Sequence, residues 1–241
     1  MIEKPKKNKP NLPKKQLVLI SLIFLFHLIG IISSLWRPKK DADFHLTFHL
    51  LRFFSWWSVH TSILTILAVI LIQWKRKKNP SYFSQLLTLV AAVYNLVIFV
   101  FISSYFLLGK ISSLGTLLDL QLFTWHFVAP LLVILYFYFH ARIDKLIKSK
   151  GKLIMTLSLA LTWPIFYFFY VFILAKINNK PTGSLSPYMK KYPYFIFEWI
   201  VERRWDILII NFLIASLTFI SLCSFMLWTK NICDKKLKKL T

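Results

Sequence analysis

The chain has 241 residues, 57% of them hydrophobic and 17% charged, with a formal net charge of +22 and a mean hydropathy of +0.59. A soluble domain carries about 45–50% apolar and about 25% charged residues, so this composition excludes an ordinary water-soluble globule. The basic residues stand in short blocks between apolar runs. That pattern suits an anionic membrane surface and speaks against a groove for nucleic acid.

The first apolar run covers about residues 16–36 behind a lysine-rich start. It resembles a signal peptide, but it is too long for one and ends in LWRPKK with no small-residue cleavage site, so it reads as a retained helix. The second run, about 50–74, opens on FFSWWSVHTS, and four more follow at about 82–108, 117–140, 152–175 and 205–228. Each reaches the ~20 residues that a helix needs to cross the hydrocarbon core. The expected fold is all-α: a polytopic membrane protein in which residues 16–228 form one bundle of six transmembrane helices. Basic tails occupy 1–15 and 229–241. In the longest outer connection, 176–204, Pro181, Gly183, Pro187 and Pro193 argue against a single regular helix.

Orientation follows from the basic blocks. The N-terminal tail, the 75–78 loop, the 141–152 loop and the C-terminal tail hold 20 of the 31 Lys and Arg. The positive-inside rule puts these segments, and therefore both termini, on the cytoplasmic side of the cell membrane. An even number of crossings demands the same result. Lys, Ile, Phe and Asn are abundant while glycine is scarce, as AT-rich bacterial genomes tend to encode.

Polar groups inside the hydrocarbon are costly and therefore functional candidates. With the topology set, Ser55 lies roughly 7–8 Å below the outer surface and His126 roughly 13 Å, at 1.5 Å per residue. A hydroxyl becomes a nucleophile when a base within hydrogen-bond reach takes its proton, and neutral imidazole is the usual base. Ser55 and His126 are the candidate pair. Ser58 lies one turn below Ser55 on the same face, whereas His60 points about 140° away. The plainer reading also stands: membrane serines bond to their own backbone or allow close helix approach, and Trp56 and Trp57 suit an aromatic belt.

Other polar residues carry weaker signals. His45 and His49 share metal-ligand spacing but sit among Asp41 and Asp43 in a loop. Asp119 opens the fourth run, where a carboxylate favours the helix dipole or orients a histidine. Asn95 and Asn211 suit hydrogen bonds between helices. Cys223 and Cys233 form no CxxC, and no histidine stands at ligand spacing from them. No paired spacing among His27, His126 and His140 points to haem. Neither a cofactor nor a metal is expected, and membrane lipids are the expected partners.

Four short motifs occur in order: RFFSWWS, WHFVAPLL, WPIFYFFY and YPYFIF. Together they resemble the FAR-17a/androgen-induced-gene-like membrane proteins, most of all their bacterial six-helix relatives, over roughly residues 50–200. Animal members are intramembrane hydrolases of fatty-acid esters of hydroxy fatty acids that use a threonine nucleophile and a histidine base. The resemblance implies Ser55 at the threonine position and His126 at the histidine. It implies motif roles for Ser58, Pro130, Trp163, Pro164, Tyr167, Tyr192, Pro193 and Tyr194. Serine in place of threonine keeps the hydroxyl, whereas Val59 stands where the motif has asparagine.

The expected function is an intramembrane hydrolase of lipid esters. The alternative is a non-catalytic membrane protein that binds a lipid or small solute, or assembles with a membrane partner.

Overall fold

The computed structural model describes residues 13–35, 57–75, 81–107, 123–178 and 205–240. In chain order these form α1 (Lys14–Leu35), α2 (Trp57–Lys75), α3 (Tyr82–Leu107), a π-helical turn (Thr124–Val128), α4 (Ala129–His140), α5 (Lys150–Asn178) and α6 (Trp205–Leu240). No strand occurs among the described residues.

Four helices are long and apolar enough to cross a membrane: Lys14–Ser33, Tyr82–Val100, Lys150–Tyr170 and Trp205–Lys235. Trp57–Ile72 and Thr124–His140 are shorter apolar helices. Large apolar side chains are left uncovered along these helices, among them Val18 and Ile32 on α1, Phe166 and Phe169 on α5, and Ile209, Leu213 and Leu217 on α6. In water such continuous apolar faces would drive aggregation; in a bilayer they meet acyl chains. The chain is built as a membrane-embedded, all-helical protein.

The helices divide into two compact units, with α1 and α2 each giving residues to both. The first unit holds α1 as far as Ile29, α2 from Ile63, α3, the π turn, α4 and the loop to Leu146. At its centre is α3, which packs on α4 and on the π turn. Ala91 and Ala92 are buried on α3, and their small side chains let a neighbouring backbone come close. Four residues further on, the fully buried Asn95 donates from Nδ2 to Thr65 Oγ1 of α2 at 2.9 Å and to the Ala91 carbonyl at 2.8 Å. An amide with no water to bond must find partners within the protein, and here it ties two helices together. Asn211 instead donates to the Ile207 carbonyl of its own helix.

One end of the first unit is well defined. Gln16, near the start of α1, donates to the Tyr136 hydroxyl near the end of α4. Gln85, near the start of α3, donates to Asp144 Oδ1 at 3.1 Å and accepts the Lys145 backbone N–H at 3.0 Å. Ile143 and Leu146 of the same loop are buried. These contacts put the N-termini of α1 and α3 and the C-terminus of α4 at one end. Replacing Gln85 with leucine removes both bonds, one of them to a carboxylate, so it is expected to cost about 1–3 kcal/mol. The readout is a lower Tm of the detergent-purified protein; an unchanged Tm would show that the loop holds itself.

The second unit holds residues 30–62 and 147–241. In it α5 packs on α6, with ring contacts between Phe168 and Phe212 (4.6 Å) and between Phe172 and Trp205 (5.8 Å). Pro164 lies inside α5, which runs on through it. At 36 residues, α6 is about 54 Å long, well beyond the ~30 Å hydrocarbon core. It continues through the C-terminal lysines to Leu240, helped by the Lys230–Asp234 ion pair at 2.6 Å, one turn apart.

Candidate functional site

The segment around His126 departs from ordinary helix for a local reason. Proline has no N–H, so Pro130 cannot donate to the carbonyl four residues back, which belongs to His126, and its ring crowds that carbonyl. The chain answers by widening: the Ala129 N–H reaches back five residues to the Thr124 carbonyl. Single π turns of this kind are frequent at functional sites. The turn is fixed against α3 by an aromatic ladder. Phe123 stacks on Phe127 with ring centres 4.9 Å apart, and Phe127 meets Phe99 of α3 at 4.7 Å.

His126 is 9% exposed, and its ring lies 4.7 Å from that of Trp125. His27 of α1 is 1% exposed and close enough to His126 for a charge on one imidazole to act on the other. The first unit therefore contains two buried imidazoles within electrostatic reach of each other. Membrane burial of this kind is expensive without a function.

The second unit assembles a different set. His60, in the second turn of α2, faces three rings of α5: Tyr167 at 5.2 Å, Trp163 at 5.5 Å and Tyr170 at 6.0 Å. Trp57 makes an edge contact with Tyr167 at 4.9 Å and meets Phe219 of α6 at 5.5 Å. Two of the sequence-predicted positions, Trp163 and Tyr167, thus pack on His60 and give α2 an aromatic seat. Ser58 and Val59 are buried in the first turn of α2. Ser55, Tyr192, Pro193 and Tyr194 lie outside the described residues, as do His45, His49 and Asp119.

Sequence reasoning missed the π turn, although the proline four residues after a histidine was its signal. It weighed His27, an isolated imidazole in the first apolar run, only as a haem ligand. The described residues hold no group of three or more His, Cys, Asp or Glu suited to a metal ion. Cys223 is buried and Cys233 exposed, both as free thiols.

No model of a known protein family, no curated protein and no solved structure matches the chain.

Proposed function

We propose that the protein is an intramembrane hydrolase of lipid esters, with Ser55 as nucleophile and His126 as general base. The observation that carries this reading is His126 itself: an imidazole buried in an apolar bundle and held on a π turn that Pro130 imposes. The resemblance of its motifs to the FAR-17a/androgen-induced-gene-like hydrolases supports it and supplies the nucleophile.

In this mechanism His126 takes the Ser55 proton as Oγ attacks the ester carbonyl carbon. The tetrahedral intermediate collapses, and His126 returns the proton to the departing alkoxide. Water then attacks the acyl-serine with His126 again accepting a proton; the second intermediate collapses, His126 returns the proton to Ser55 Oγ, and the fatty acid leaves. The exposed apolar helix faces suit a substrate that arrives through the bilayer. The test is hydrolysis of a panel of long-chain esters by the purified protein. Activity lost in Ser55→Ala supports the proposal; full activity in that variant refutes it.

The same reading places six crossings in the cell membrane with both termini cytoplasmic. The contacts that gather the basic ends of α1, α3 and α4 support it. The two thiols provide a probe of this topology. Cys233 is exposed and Cys223 buried, so a membrane-impermeant maleimide is expected to label one site per chain, in inside-out vesicles only. Labelling of Cys233 in right-side-out vesicles would reverse the orientation.

A further inference from the structure

We propose that His27 is the positioning residue of His126, so that the two buried imidazoles act in series. The catalytic part of this inference rests on the hydrolase reading above; the pairing of the two imidazoles does not.

The Gln16–Tyr136 hydrogen bond pins antiparallel α1 and α4 to each other. From Gln16 to His27 is a climb of 11 residues, about 16 Å, and from Tyr136 to His126 one of 10 residues that enters the wider π turn, roughly 14–15 Å. The two imidazoles thus reach nearly the same level. Eleven residues are also close to three full turns, so His27 lies on the stripe of α1 that carries Gln16 to α4. Both rings are buried, and each lies within the electrostatic reach of the other.

A histidine acting as base needs its remote ring nitrogen engaged, so that tautomer and orientation are set and the imidazolium is stabilised when it forms. A carboxylate usually does this, but an ionised carboxylate in hydrocarbon is costly. The only carboxylate among the described residues of this unit is Asp144. It bonds to Gln85 in the loop beyond α4, about 20 Å from His126 by the length of the helix. Neutral imidazole has one donor and one acceptor nitrogen, so His27 can accept the His126 N–H without burying a net charge.

The experiment has two arms on the full chain in lipid nanodiscs. In the first, ring-nitrogen resonances of ¹⁵N-histidine-labelled protein are assigned to His126 by their loss in His126→Gln. They are expected to shift in His27→Leu and in His27→Gln, and to stay in place in Asp119→Asn. In the second, the rate of labelling by a fluorophosphonate probe is expected to fall about 10²-fold or more in His27→Leu, on the scale of a mis-set tautomer. It is expected to recover in part in His27→Gln, whose amide oxygen also accepts an N–H. His126 signals unmoved by either His27 variant would overturn the pairing, and shifts caused by Asp119→Asn alone would assign the role to Asp119. Signals that shift while the labelling rate stays at the wild-type value would overturn the positioning role. Absence of labelling in the wild-type chain would overturn the hydrolase reading and the positioning role with it, while the resonances still decide the pairing.

Discussion

Replacing His126 by alanine is expected to lower ester hydrolysis by about 10²–10⁴-fold, the range that a positioned general base contributes. The loss should fall on kcat and leave KM nearly unchanged, because the imidazole acts on the serine proton and not on the acyl chains. The folded protein should survive the change. A buried imidazole is replaced by a smaller apolar side chain, and the stacked Phe99, Phe127 and Phe123 rings continue to hold the π turn. Hydrolysis rates measured beside a thermal melt separate the two effects. A variant of normal Tm and wild-type rate would remove His126 from the chemistry.

Pro130→Ala should show the opposite pattern, a protein at least as stable and yet far less active. Alanine restores an N–H that can bond to the His126 carbonyl, adding a hydrogen bond of about 0.5–1.5 kcal/mol. The π turn can then close to ordinary helix. Removing one residue's worth of widening turns everything on its N-terminal side by about 100° and shifts it by about 1.5 Å relative to α4. His126 lies in the part that turns. Misplacement of a catalytic group by about 1 Å costs on the order of 10²-fold, and that is the expected loss of rate. A Pro130→Ala protein with raised Tm and undiminished hydrolysis would show that the π turn is incidental.

Element positions were the most legible part of the chain because the bilayer imposes them. A run of ~20 apolar residues has few uses besides crossing, and α1, α3 and the start of α6 fall close to where the apolar runs place them. The far end of α6 was not legible. Lysines after Trp228 signal the membrane surface, but they are good helix formers, and the Lys230–Asp234 pair carries the helix onward. Asn95 could be read as an interhelical bridge because a lone amide in hydrocarbon has no other recourse, although its partner Thr65 could not be named.

The candidate site was legible by residue and not by neighbourhood. Depth and motif singled out His126, but only the register between α1 and α4, set by the Gln16–Tyr136 bond, brings His27 to a similar level. The helical wheel set His60 apart from Ser55. It gave no sign that Trp163, Tyr167 and Tyr170 would gather round it, since that depends on how α2 meets α5. The π turn was written in the sequence as physics, a proline four residues after a histidine, and was read there only as a motif.

The most direct test is the identity of the residue that reacts. Membranes containing the chain are treated with a fluorophosphonate probe, the protein is digested, and the modified peptide is sequenced by mass spectrometry. An intramembrane serine hydrolase predicts one adduct, on Ser55, that disappears in His126→Ala. No adduct, or an adduct on another residue that persists in both Ser55→Ala and His126→Ala, would contradict it.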